Sequence, residues 1–303
     1  MSLIENIRQV ILSPGSMFLA EPAFLLYDEV REPKSYLAII KAIGGGAHAL
    51  TEISERAFIP STSVSFYLNG LKDLRLVERR LPVMQRKGQL AHSRSGRYHL
   101  SDPYLRFYFQ FLEPLLSSSP FDPDRVVDAI RQNLRAFVGS TAFEELARRW
   151  ISVLGKAGKL PFVPDVVGSH WSSRVQVDSR YHMKTKKVSG VDVVAINWET
   201  REILFGECKW AADWVDRQTV RELVERKAPL ALRDLPEQSE GWKVHYALFA
   251  HSGFTPAATD EMKRHQGLLV DLLELDGLLG RERVRFLATH SIKMMRFSLR
   301  LRT

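Results

Sequence analysis

A chain of 303 residues, 45% of them hydrophobic and 26% charged, is long enough for two domains and apolar enough to bury real cores. Its net charge of +8 and pI near 9.6 favour an anionic partner, with nucleic acid the leading class, and no run of ~20 apolar residues is present to span a membrane. Cys208 is the sole cysteine, which excludes an internal disulfide and fits a reducing cytoplasm, and the start Met1-Ser2-Leu3-Ile4-Glu5-Asn6 lacks the order of a signal peptide. No Gly-x-x-x-x-Gly-Lys-Ser/Thr occurs, so the chain has no Walker phosphate loop and no ATP site is expected. Gly44-Gly45-Gly46, followed by Ala47-His48, reads as a helix stop.

In the first domain, residues 1–116, a helix is predicted from Tyr36 to Ile43, ended by the glycines. A short helix follows at Thr51–Ala57, with Thr51 as its expected N-cap. Ser61-Thr62-Ser63 opens a third helix, with Val64, Tyr67, Leu68 and Leu71 on one face. This order is that of a helix-turn-helix. Val77–Arg80 and Gly96–Leu100 read as the two strands of a wing, and residues 79–97 hold Arg79, Arg80, Arg86, Lys87, Arg94 and Arg97 but no acid. The expected DNA contacts are these basic residues on the backbone, with Ser61 and Ser63, joined by Thr62 and Ser65, at the groove. The third helix carries only Lys72 and Arg75 as basic residues, near its end, which speaks against strong base readout and leaves protein contact as the alternative. The aromatic run Asp102–Phe111 is read as helical core, in preference to a base-stacking platform.

Residues 117–124, Ser-Ser-Ser-Pro-Phe-Asp-Pro-Asp, form the expected linker, and 125–303 the second domain. Arg125–Val153 is predicted as one long helix or two, interrupted near Gly139-Ser140-Thr141. Strands are expected at Leu160–Val167 and Arg174–Asp178. The next is a hairpin of Val191–Ile196 and Glu202–Trp210 about the polar turn Asn197–Arg201. Residues alternate along a strand, so Glu207 and Lys209 share a face while Cys208 points away, and Asp192 lies beside Glu207 across the hairpin. Two carboxylates and an ammonium on one patch suit a divalent metal, Mg or Mn, and an activated water. A helix over Asp213–Lys227, a buried strand at His245–Ala250, a helix capped by Thr255-Pro256 and a last strand at Leu268–Leu273 complete an α/β layered domain. The basic tail, Arg281–Thr303, reads as a strand pair, a DNA contact or a docking segment.

Asp192 followed by a turn and Glu207-x-Lys209 resembles the PD-(D/E)XK nuclease motif of restriction-endonuclease-like folds. More narrowly, Phe205-Gly206-Glu207-Cys208-Lys209-Trp210 resembles the C-terminal domain of unknown function of prokaryotic AAA-type ATPases. Leu12-Ser13-Pro14, Glu21-Pro22, Leu25-Leu26 and Asp102-Pro103-Tyr104-Leu105-Arg106-Phe107 agree with it, so the resemblance runs from about Ile11 to about Leu275. It implies an N-terminal winged helix followed by a mixed-sheet nuclease-like domain, and it carries Glu144 over as a fourth site residue. The alternative for Glu144 and Glu145 is a pair of surface acids near a helix start. Trp171 matches a tryptophan that the family places ahead of its aspartate, but about twenty residues separate it from Asp192, more than the pattern has. That insertion holds Arg174, Arg180, Lys184, Lys186 and Lys187, a basic hairpin or a solvated loop, and Asp178, a rival first ligand. Gln218 is a weaker carry-over, expected to face solvent.

The resemblance implies metal-dependent phosphodiester hydrolysis in DNA: Asp192 and Glu207 as ligands with the Cys208 carbonyl, Lys209 at the attacked phosphate, and Glu144 on a water. The Cys208 thiol is read as part of the core. The alternative is a non-cleaving DNA-binding or regulatory module that partners an AAA-type ATPase. Since the relatives carry an ATPase ahead of the equivalent of Ile11, the chain is expected to be a short form or a fragment.

Overall fold

The computed structural model describes residues 2–19, 30, 32–84, 95–116, 121–172, 176–177, 184–185, 190–235 and 241–280. Arg86, Lys87, Arg94, Arg174, Asp178, Arg180, Lys186 and Lys187 lie outside the described residues. So do Glu21-Pro22, Leu25-Leu26, the linker residues Ser117–Pro120 and the tail from Arg281. The chain divides into two compact units: Met1–Pro82 with Lys87–Phe137, and Val83–Arg86 with Val138–Thr303.

The first unit is mainly helical. α1 (Leu3–Asn6) runs into a π-turn, Ile7–Ile11, and is followed by α2 (Pro33–Gly44), α3 (Leu50–Ala57) and α4 (Ser61–Asp73). β1 (Val77–Arg80) and β2 (Arg97–Leu100) pair antiparallel, Val77 opposite Leu100 and Arg80 opposite Arg97. α5 (Pro103–Phe107) continues through a π-turn, Tyr108–Leu112, into α6 (Glu113–Leu116), and α7 (Pro123–Phe137) closes the unit.

Thr51 does not cap α3. The helix starts one residue earlier, and the Glu52 carboxylate accepts from the amides of His48 and Ala49, each at 3.0 Å. A carboxylate in the first turn satisfies two orphan donors, which a hydroxyl one residue inside the helix does not reach. Asp102 caps α5 through Tyr104 N and Leu105 N, and Pro103 starts the helix at no hydrogen-bond cost. Gly44 is held to its identity by Phe109: a Cβ there would stand 2.3 Å from Phe109 Cβ. The aromatic run is core, with Tyr108, Phe109 and Phe111 buried. α7 belongs with this core through Val126, Val127 and Ile130, and the Phe137 ring lies 5.2 Å from that of Phe111. The units therefore divide at Phe137 and Val138, beyond the polar stretch 117–124 at which composition alone places the break.

The second unit is a mixed α/β arrangement. A π-turn, Val138–Phe143, at the expected interruption leads into α8 (Glu144–Lys156). Next come β3 (Val166–Trp171), a small pair β4 (Gln176–Val177) and β5 (Lys184–Thr185), then β6 (Gly190–Asn197) and β7 (Glu202–Lys209). The chain crosses through α9 (Arg217–Arg221), a π-turn (Glu222–Lys227) and α10 (Ala228–Leu232) to β8 (Lys243–Ala250). It returns by α11 (Pro256–Arg264) to β9 (Leu268–Asp271), and residues 272–280 are helical. The sheet order is β3-β6-β7-β8-β9, with β3, β6 and β7 antiparallel and β7, β8 and β9 parallel.

β7 is central and covered on both faces, which is why it reads as a continuous apolar run rather than an alternation. Phe205 faces the layer of Val220, Leu223, Ala228 and Met262, while Leu204 faces Phe143, Ala147, Trp150 and Leu275. Each such side chain contributes about 1.5–3 kcal/mol of burial. The outer edge of β3 is not bare: Val83 N donates to Ser169 O at 3.1 Å, and Met84 is buried in the second unit's core. Among the described residues no helix is long and apolar enough to cross a membrane.

Candidate active site

The site lies where the β6–β7 ladder stops. The two strands pair from Asn197↔Glu202 to Val193↔Gly206, and the turn between them is closed by Asn197 Oδ1, which accepts from Glu199 N and Thr200 N. On its other side β6 carries a bulge. Gly168 faces Val194 and His170 faces Val191, so β6 spends one residue more than β3 at Asp192-Val193. A bulge re-aims a side chain and ends pairing. Here Asp192 Oδ2 accepts from Cys208 N at 2.9 Å, in place of a ladder carbonyl. Gly206 makes the approach possible, since a Cβ on it would stand 2.9 Å from Val193 Cβ.

Glu207 and Lys209 point to one side of β7, as alternation requires, with Lys209 Nζ 2.9 Å from Glu207 Oε1. Glu207 is only 4% exposed. From the first turn of α8, Glu144 reaches the same strand end and is tied to it by Arg148. Arg148 Nη1 donates to Asp192 O at 2.8 Å and to Glu144 Oε2 at 3.3 Å. Two partners of the site carry little signal in the sequence: Arg148, and Lys227, whose Nζ lies 2.6 and 2.7 Å from the two oxygens of Glu207. Arg148 stands four residues after Glu144, a spacing that signals a helical ion pair. Lys227 gives a fainter signal: the core-facing Val220, Leu223, Ala228 and Ala231 are not spaced evenly, because of the π-turn between them.

The electrostatics follow from crowding. Burial, and then the charge of Asp192, push Glu144 up to about 7 against the pull of Arg148. Burial, and then Glu207, push Asp192 up to about 6. Burial works against the Lys209 charge, but Glu207 beside it outweighs this and raises its pKa. Burial raises the Cys208 thiol well above its usual range, which leaves it inert as a nucleophile.

The donors are carboxylate oxygens at a strand end, two of them raised above their ordinary range first by burial and then by a neighbouring carboxylate, against the pull of Arg148 and the two lysines. Yet among the described residues no group of three or more His, Cys, Asp or Glu side chains is arranged to hold a metal ion. The two observations meet at Glu207, both of whose oxygens are already engaged by an ammonium. A hard cation would need those oxygens, and Lys227 Nζ lies on both of them.

Residues 108–223 match the model of the DUF234 family, archaeal and bacterial proteins of unknown function. The match takes in Glu144, Arg148, Asp192, Glu207 and Lys209 and stops before Lys227. Over 223 residues the chain is 27% identical to an uncharacterized protein of Methanocaldococcus jannaschii, an alignment covering 73% of this chain and 43% of that protein. The chain thus spans less than half the length of this relative. No solved structure matches it.

The remaining candidates are dispersed. Trp171 is buried in β3, and Gln218 is exposed. In the first unit, Ser61 and Ser63, with Thr62 and Ser65, are exposed on α4. Their exposed neighbours are apolar rather than basic: Phe66 is 69% exposed, and Phe58, in the turn before the helix, 94%. Arg80 Nε donates to Glu78 Oε1 at 2.7 Å. Arg97 is half-buried, and burial lowers its pKa while Glu52 counters. Arg79 Nε lies over Gly96, 2.4 Å from where a Cβ would be. None of these three arginines is without an interaction partner.

Proposed function

We propose that the second unit is a metal-dependent nuclease domain of the PD-(D/E)XK, restriction-endonuclease-like kind, hydrolysing phosphodiester bonds in DNA, and that the first unit is a winged helix that contacts DNA. The observation that carries this reading is the convergence of Asp192, Glu207, Lys209 and Glu144 at one strand end, beside a bulge that frees Asp192 from the ladder. The chain order of helix, three antiparallel strands, crossover helix and parallel strand supports it, as does the net charge of +8.

Asp192 and Glu207 would hold the cation, which supplies a polarised phosphate and a water of lowered pKa. Lys209, more exposed than Glu207, offsets the charge that develops on the phosphate oxygens. Glu144, ionising near neutrality, suits acceptance of the proton lost by the attacking water. Arg148 holds Glu144 against the backbone of Asp192 and so positions both.

The test is cleavage of single- and double-stranded DNA with Mg or Mn. Wild type should cut, and Asp192→Ala and Lys209→Ala should each lose at least about a hundredfold in rate. One observation favours a second reading, a non-cleaving DNA-binding module that partners an AAA-type ATPase: Lys227 occupies both oxygens of Glu207. Intact DNA under every condition, with salt-sensitive binding unchanged in both variants, selects that reading.

A further inference from the structure

Glu207 carries two ammonium groups that differ in origin. Lys209 stands two residues along the same strand, with 39% of its side chain exposed, and meets one oxygen. Lys227 arrives from the helical layer, is 19% exposed, and meets both. Its position is built into the fold. The core-facing residues of this helix step from Leu223 to Ala228, one residue more than an α-helix needs, and the extra residue belongs to the π-turn Glu222–Lys227. In an α-helix residue 227, four on from Leu223, would take the core-facing place; the longer step gives that place to Ala228 and leaves Lys227 beside it, on Glu207. With their carboxyls ionised, Asp192, Glu207 and Glu144 are balanced by Arg148, Lys209 and Lys227, so the site is formally neutral as it stands.

We infer that Lys227 is the resident counter-ion of Glu207, and that a divalent cation binds only by displacing it, so that Lys227 sets the cation affinity of the site. The inference rests on the reading that Asp192 and Glu207 hold the cation. A carboxylate whose two oxygens already accept from one ammonium must exchange that charge for the incoming one. Lys209 and Lys227 already share Oε1, so a third positive group, doubly charged, on the same buried carboxylate meets the repulsion of both unless one withdraws. A lysine that merely held Glu207 in place for the cation would behave in the opposite way, since its removal would weaken binding.

The experiment is calorimetric titration of the full chain with Mn alone. It compares wild type, Lys227→Met, Lys227→Arg and Glu207→Gln. Lys227→Met should bind Mn roughly tenfold or more tighter, the cost of one charged hydrogen-bonded pair no longer opposing entry. Lys227→Arg, which keeps the charge, should stay near wild type, and Glu207→Gln should abolish binding. Equal or weaker binding by Lys227→Met overturns the inference. If wild type binds and Glu207→Gln does not, the metal-site reading survives that result; if no variant binds Mn, both fall. Should Lys227→Met not fold, wild type serves. An amine-acylating reagent, read by mass spectrometry, should modify Lys227 faster with Mn than without, while Lys243, 68% exposed, stays constant. No increase at Lys227 overturns the inference by itself.

Discussion

Glu144 and Asp192 ionise at about 7 and about 6 in the folded chain, against ordinary values of 4.5 and 3.8. Burial comes first in both cases and a neighbouring carboxylate second. Between those limits the folded chain holds protons that the unfolded chain has released. The resulting stabilisation is complete below about pH 4 and is lost as pH rises through 6 and 7. The buried imidazoles of His48, His99 and His170 act in the opposite sense below about pH 6.5, since burial lowers their pKa values and folding then excludes protons. The whole-protein profile is therefore a sum, and the difference between wild type and Glu144→Gln isolates the site. Glu144→Gln should gain on wild type as pH rises from 5 to 8, by on the order of 2 kcal/mol at the top of the range. Denaturant melts at pH 5, 6.5 and 8 would measure this, and a difference that stays flat or shrinks with pH would remove the crowded-carboxylate account.

At the scale of elements, the bulge in β6 and the glycine opposite it act together. A methyl group on Gly206 would sit 2.9 Å from Val193 Cβ and 3.4 Å from the Phe249 ring. Val193 is β-branched and fully buried, so it has no rotamer in which to retreat, and the strand carrying Asp192 must move. Gly206→Ala should cost about 1–3 kcal/mol in a denaturant melt and also weaken Mn binding. Normal stability with normal Mn affinity would mean that the close approach does not hold Asp192. None of this is legible in the sequence, where Gly206 is one small residue in an apolar run. The hairpin itself is legible, because two apolar runs about Asn197–Arg201 leave little choice of turn. So is α4, whose Val64, Leu68 and Leu71 repeat at helical spacing and are buried. The partners of the site are not. Arg148 and Lys227 reach Asp192 and Glu207 from 44 and 20 residues away in the chain, through packing that local pattern does not encode. The arginines of the β1–β2 hairpin mark the same limit from the other side. They read as a basic wing, but Glu78, just before the run, accepts from Arg80, and the charge of Glu52, from α3, opposes the fall in the pKa of Arg97.

At the scale of the molecule, each unit has its own core. The first is built on Ile39, Ile53, Leu68 and Leu112, the second on the two faces of the five-stranded sheet. Separate cores melt as separate cooperative units, and a ligand of one raises only that unit's transition. Scanning calorimetry should therefore resolve two transitions, with Mn raising one and leaving the other in place. The chain passes from one unit to the other three times in sequence, at 82/83, 86/87 and 137/138, because Val83–Arg86 belongs to the second unit. Met84 is 1% exposed there, and Val83 bonds the edge strand β3. Met84→Ala should consequently lower the Mn-sensitive transition, by about 2–5 kcal/mol in stability, and leave the other where it was. A chain beginning at Val138 lacks this strip and should melt below the corresponding transition of the full chain. If Met84→Ala instead lowered only the Mn-insensitive transition, the strip would belong energetically to the first unit, and the second would be complete from Val138 onward.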